Sequence, residues 1–118
     1  MNSNIGYTTE MIGGMPVIVA PAEIDITTAD DLGTALLAAT ANGHTVIVVD
    51  MTGTRFCDSA GLRVLTAAHR RAVGDGGELR LITPAGSSVF HVLTLTGMCR
   101  LIPTFSSLEE ALVEGLPL

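Results

Sequence analysis

Ser59 is the side chain best placed for chemistry in this sequence, because of what stands on either side of it. The segment Arg55-Phe56-Cys57-Asp58-Ser59-Ala60-Gly61-Leu62 lies where a strongly β-forming run hands over to an amphipathic one. At the start of a helix the first-turn N–H groups are unpaired and the dipole is positive, so an anion is tolerated. Asp58 suits the N-cap, Ser59 then opens the helix with its hydroxyl exposed, and Gly61 leaves room for a close approach. A phosphate on Ser59 would meet free N–H groups, with Arg63 one turn further on at i+4. The plain alternative is that Asp58 and Ser59 are only a helix cap.

Other chemistry needs partners that the sequence does not supply. A serine nucleophile needs a base, and the nucleophile-elbow pattern fails because Cys57, not glycine, stands two residues before Ser59. His69 lies ten residues along the same helix, about 15 Å away by helical rise, and its relation to Leu65, Ala72 and Val73 makes it a semi-buried core residue. His44 and His91 have no suitable companions. The histidines are 25 and 22 residues apart, and neither cysteine falls in a C-x-x-C pattern, so no metal site is expected. Cys57 reads as a small apolar residue under the turn, since the adjacent Asp58 opposes a thiolate.

The elements that position this segment follow from periodicity. Residues 5–12 form a weak strand, Gly13-Gly14 a tight hairpin turn, and residues 15–20 the returning strand. Thr28 with Asp31 reads as a capping box for a helix carrying Leu32, Ala35, Leu36 and Ala39, ended at Gly43. Residues 45–50 are an unbroken β-branched run suited to a central strand with little solvent on either face. A second helix covers about 59–73, with Leu62, Leu65, Ala72 and Val73 on its apolar face. Residues 79–83 form a strand. Ser87 or Ser88 caps a short helix closed by Gly97, and Leu101-Ile102 form a last strand before Pro103. Ser106 and Glu109 then box a final helix. The order β-β-α-β-α-β-α-β-α implies an α/β fold, a mixed sheet with an opening hairpin and packed helices.

The same residues carry a resemblance. Gly53 to Leu65, with Phe56 and the run Asp58-Ser59-x-Gly61-Leu62, resembles the signature of STAS-domain proteins of the anti-sigma factor antagonist type. Glu23-Ile24-Asp25 followed by Thr28-Ala29 resembles the family's motif between second strand and first helix, and Leu95-Thr96-Gly97 a third. The resemblance implies one STAS domain over 1–118 and a partner-switching role. The unphosphorylated antagonist binds an anti-sigma factor with serine-kinase activity and so frees the sigma factor. The kinase phosphorylates the serine after the motif's aspartate, here Ser59, and a PP2C-type phosphatase reverses this. The implied partner surface is Asp25 and Thr28 in one loop, with Asp58, Ser59, Gly61, Leu62 and Arg63 beside it. Two departures stand out: Ala22, preceded by Pro21, replaces the usual glycine, and Ala60 replaces a frequent second hydroxyl. The resemblance also allows an alternative, an accessory subunit of a lipid-transport complex.

Composition narrows the classes. The 118 residues are 47% hydrophobic and 15% charged, with a mean hydropathy of +0.50, which excludes a disordered chain. All six basic residues are arginine. Without lysine there is no P-loop and no Schiff-base chemistry; with the hydrolase and metal patterns also missing, no cofactor is expected and the chain is not read as an enzyme. A net charge of −6 argues against a nucleic-acid partner. The absence of a long apolar run argues against a membrane one. Two cysteines make no disulfide framework, and residues 1–4 carry no signal-peptide pattern, so a cytoplasmic location is expected.

Overall fold

Gly13 and Gly14 both adopt positive φ, 60° and 83°, the backbone of a two-residue hairpin turn that side chains with a Cβ resist. They join β1 (Thr9–Ile12) to β2 (Met15–Val19) as an antiparallel pair, with Ile12 opposite Met15. The computed structural model describes residues 9–113; the expected beginning of the first strand, before Thr9, lies outside them.

Every later strand of the main sheet is parallel to its neighbour. The order is β1-β2-β4-β6-β7, where β4 is Val46–Asp50, β6 is Glu78–Ile82 and β7 is Thr104–Phe105. Alternation assigns each strand residue to one of two cores. Ile18, Ile47, Val49, Leu79 and Leu81 face the larger core, which is closed by Leu32 and Leu36 of α1 (Ala29–Ala41), Leu65 of α2 (Ser59–Gly74) and Leu93 of α3 (Ser88–Thr96). Val17, Val48 and Ile82 face the opposite side under Ala111 of the last helix, Leu108–Val113. Ile47, Val48 and Val49 are all buried, as the β-branched run led us to expect. Arg80, on the second face, has its side chain 3% exposed. It donates from Nε to Glu78 at 2.7 Å and from Nη1 to the Ala111 carbonyl at 2.6 Å, holding the last helix on the sheet. The fold is the expected mixed α/β arrangement with an opening hairpin.

Several local expectations are corrected. Leu101 belongs to a short helix, α4 (Met98–Leu101), and the last strand forms only after Pro103, at β7. Gly97 still closes α3, in the left-handed conformation at φ 81°, which makes α4 the next element in chain order and the Leu108–Val113 helix α5. Val73 is 53% exposed, because the buried stripe of α2 runs through Leu65, Ala68, His69 and Ala72. Thr28 makes no side-chain cap bond. Its backbone is already helical, and its hydroxyl turns back to the Glu23 carbonyl at 2.9 Å and the Asp25 N–H at 3.0 Å. The final cap is shifted by one residue. Ser107 accepts from the Glu110 N–H, and Glu110 reaches back to the Ser106 N–H and hydroxyl.

Candidate functional site

Two loops far apart in sequence are joined by a second, two-stranded parallel sheet: β3 (Glu23–Ile24) beside β5 (Phe56–Cys57). The Ala22 carbonyl accepts from the N–H groups of Arg55 and Phe56, and the Ile24 carbonyl from that of Asp58. The Thr54 hydroxyl donates to the Pro21 carbonyl at 2.8 Å. Ala22, in the usual glycine's place, needs no positive φ, which no non-glycine among the described residues adopts. Ile24 and Cys57 point inward to the core, while Glu23 and Phe56 point out. Glu23 and Arg55 approach to 3.8 Å, an exposed pair of little energetic weight. The pairing therefore holds the loop that leads into α1 beside the loop that leads into α2.

At the start of α2 Asp58 is the N-cap. Its Oδ1 accepts from the N–H groups of Ala60 at 2.9 Å and Gly61 at 3.2 Å, and its carbonyl accepts from Leu62. Such a cap contributes about 1 kcal/mol. It also corrects the expectation of free N–H groups awaiting a phosphate, because the Asp58 carboxylate already occupies the positive end of the helix. Ser59, the first helical residue, is exposed, and its hydroxyl makes no hydrogen bond among the described residues.

Gly61 is buried, and what approaches it is the chain's own core. A Cβ there would lie 2.6 Å from both Cys57 Sγ and Ile24 Cγ2. Its place beside Ser59 is thus a packing role, behind the surface that Ser59 presents. Leu62 is half-buried against the larger core, and Arg63 is exposed.

The neighbouring loop is organised by Asp25. Its Oδ1 accepts from the Thr27 N–H at 2.9 Å and the Thr27 hydroxyl at 2.6 Å, and these bonds hold the carboxyl below its usual pKa range. Its carbonyl accepts from Thr28 and Ala29, starting α1. Asp25 and Thr28 therefore shape the loop from within, and Thr28 is half-buried.

The remaining candidates are structural. His69 is buried and its Nδ1 accepts from the Leu79 N–H at 3.2 Å, so it links α2 to β6 as a neutral ring. Burial lowers its pKa, opposed by Glu78 and a hydrogen bond with the Leu101 backbone. Burial, then the Asp58 charge, pushes the Cys57 thiol up to about 11, so it is a neutral packing group. Among the described residues no cluster could hold a metal ion and no helix is long and apolar enough to cross a membrane.

Residues 7–111 match the family model of the STAS domain. The chain belongs to the STAS domain family. It is 29% identical over 109 residues to the anti-sigma-F factor antagonist RsfB of Mycobacterium tuberculosis, covering 92% of this chain and 88% of that one. Its fold superposes with a TM-score of 0.83 on a crystal structure of an anti-sigma factor antagonist from Mycobacterium paratuberculosis, at 25% identity and covering 93% and 92% of the two chains. A fold likeness extends to the anti-sigma factor antagonist SpoIIAA in its unphosphorylated form, with a TM-score of 0.75 at 21% identity, covering 96% of this chain and all of that one.

The outward exposure of two apolar residues of this STAS domain was not read from the sequence. Ile26, between Asp25 and Thr27, is 78% exposed, and Phe56 is 50% exposed. Each sits on one of the two stitched loops, so an apolar contact is offered on both. Ile26 is a lone apolar side chain between Asp25 and Thr27, which was the available signal; Phe56, between Arg55 and the buried Cys57, offered none.

Proposed function

We propose that this STAS domain is an anti-sigma factor antagonist switched by phosphorylation at Ser59. In the unphosphorylated form it binds an anti-sigma factor with serine-kinase activity and releases the sigma factor. The kinase, which brings its own ATP, phosphorylates Ser59, and a PP2C-type phosphatase restores the binding form. The protein is a binding partner and a kinase substrate, and catalyses nothing itself. The observation that carries this reading is the exposed, unbonded Ser59 hydroxyl on a helix N-terminus whose amides Asp58 already holds. The partner surface then comprises Ser59, Leu62 and Arg63 on α2 with the Asp25–Thr28 loop, to which Ile26 and Phe56 add apolar contact. Asp58 and Gly61 support it from behind.

The switch is electrostatic. A phosphoserine adds about −1.5 to −2 charge. Burying that charge in an interface beside Asp58, with the Ala60 and Gly61 amides already bonded, leaves Arg63 alone on α2 to offset two neighbouring anions. A penalty of a few kcal/mol lowers affinity by orders of magnitude.

Phosphopeptide mapping after incubation with a purified anti-sigma factor kinase and ATP tests the site. Phosphate on the peptide containing Ser59, absent from Ser59→Ala, is expected. Phosphate on Thr54 or Thr66 with Ser59 untouched would overturn the assignment.

A further inference from the structure

Helix α2 is basic in an otherwise acidic chain. Its sequence, Ser59 to Gly74, contains Arg63, Arg70 and Arg71 and no acidic residue, while the chain carries a net charge of −6. Arg71 turns toward Asp75, 3.9 Å away. Arg63 and Arg70 are exposed and have no ion pair or hydrogen bond among the described residues. Both line one shallow concavity of about 350 Å³ on the outer face of α2, together with Ser59, Leu62, Thr66 and Ala67. The strip therefore begins at the residue on which the functional proposal rests and runs about three turns along the helix. Seven residues separate the two arginines, about 10 Å of helical rise.

We propose that this face of α2 docks an acidic segment of the anti-sigma factor kinase, with two carboxylates about 10 Å apart meeting Arg63 and Arg70. Two carboxylates seven residues apart on a helix share one face and have that spacing. Charge complementarity selects this occupant: a basic or neutral segment would leave both guanidinium groups unpaired, whereas carboxylates form directed, charge-assisted bonds with them. Thr66 and Ala67 lie between the two charges, and Leu62 adds apolar surface at the near end. The inference rests on the proposed antagonist role and explains how a phosphate at Ser59 acts over more than its own footprint. The phosphate repels the carboxylate that approaches the near end of the strip. It also draws in Arg63, at i+4, and so removes that carboxylate's counter-charge.

The test is calorimetric binding of the full chain to the anti-sigma factor kinase, with nucleotide present, at 50 and 300 mM NaCl. Arg63→Glu and Arg70→Glu are each expected to lower affinity about tenfold or more at the low salt, and to flatten its salt dependence. Arg100→Glu, the same charge change on the exposed face of α4, is expected to stay within about twofold, with all three melting temperatures close to the parent's. Parent-like affinity of Arg70→Glu, or an equal loss in Arg100→Glu, overturns the strip. If the parent chain does not bind the kinase at all, the antagonist reading fails instead. The strip is then judged alone by NMR titration with a capped octa-glutamate peptide. Shifts of the Arg63 and Arg70 Nε–H resonances exceeding those of Arg100 support it, and uniform or absent shifts overturn it.

Discussion

Substituting Gly61 by alanine separates a packing role from a partner-contact role two residues from the proposed switch. The added methyl would lie 2.6 Å from Cys57 Sγ and 2.6 Å from Ile24 Cγ2, with Ile24 Cβ at 3.2 Å. Carbon contacts are most favourable near 3.5–4.0 Å, so two overlaps of about 1 Å must be relieved. Both opposing side chains are buried, at 5% and 0% exposure, and belong to the β3–β5 pair that fixes the neighbouring loop. Overpacking of this kind costs about 1–3 kcal/mol, while replacing a helical glycine returns up to about 1 kcal/mol. We therefore expect a net loss of about 1–2 kcal/mol, a fall of roughly 3–10 °C in melting temperature by differential scanning calorimetry. In a Cys57→Ala background, where the sulfur is gone, Gly61→Ala should cost less than it does alone. Gly74→Ala is the internal control: nothing lies within 4 Å of its added Cβ, so it should be neutral or mildly stabilising. An unchanged or raised melting temperature for Gly61→Ala would refute the packing argument and return Gly61 to the contact surface.

Three further outcomes follow from the same geometry. Asp58→Ala removes the bonds to the Ala60 and Gly61 amides and should cost about 1 kcal/mol in urea denaturation, while Asp58→Asn, which can still accept, should keep most of it. His69 has a folded pKa below its unfolded value of 6.5. Its contribution is therefore fully present above pH 6.5 and is lost as pH falls toward and through the folded value, so the parent should lose more stability than His69→Gln on acidification from pH 7. Cys57, with its thiol pushed up to about 11, should resist alkylation by iodoacetamide at pH 7.5 in the native state, and mass spectrometry should find the label on Cys99 first.

What the sequence revealed and what it hid divide along the range of the interactions. The hairpin was legible because Gly13-Gly14 is itself the turn, and the start of α2 because Asp58 caps amides only two and three residues away. The alternation that sorts Ile47 and Val49 from Val48 is likewise local. By contrast, β3 and β5 are two residues each and exist only through pairing across more than thirty positions, so no periodicity announces them. That pairing is what brings the Asp25 loop to Ser59. Thr28 has the composition of a cap, yet the Asp25 carbonyl has already started the helix, and the backbone of Glu23 and Asp25 in its own loop claims the hydroxyl. Val73 continues the apolar spacing of α2 but falls beside its buried stripe. At Ser59 both the location and the Asp58 cap were readable, but that the cap takes the amides a phosphate would need was not drawn from them.

The account turns on one comparison, the affinity of an anti-sigma factor kinase for this chain with and without phosphate on Ser59. Both forms, separated by ion exchange after enzymatic phosphorylation, can be titrated calorimetrically into the kinase with ADP present. The account predicts binding by the unphosphorylated chain and a loss of at least about a hundredfold on phosphorylation, with treatment by a PP2C-type phosphatase restoring the original affinity. Equal affinity of the two forms would contradict it.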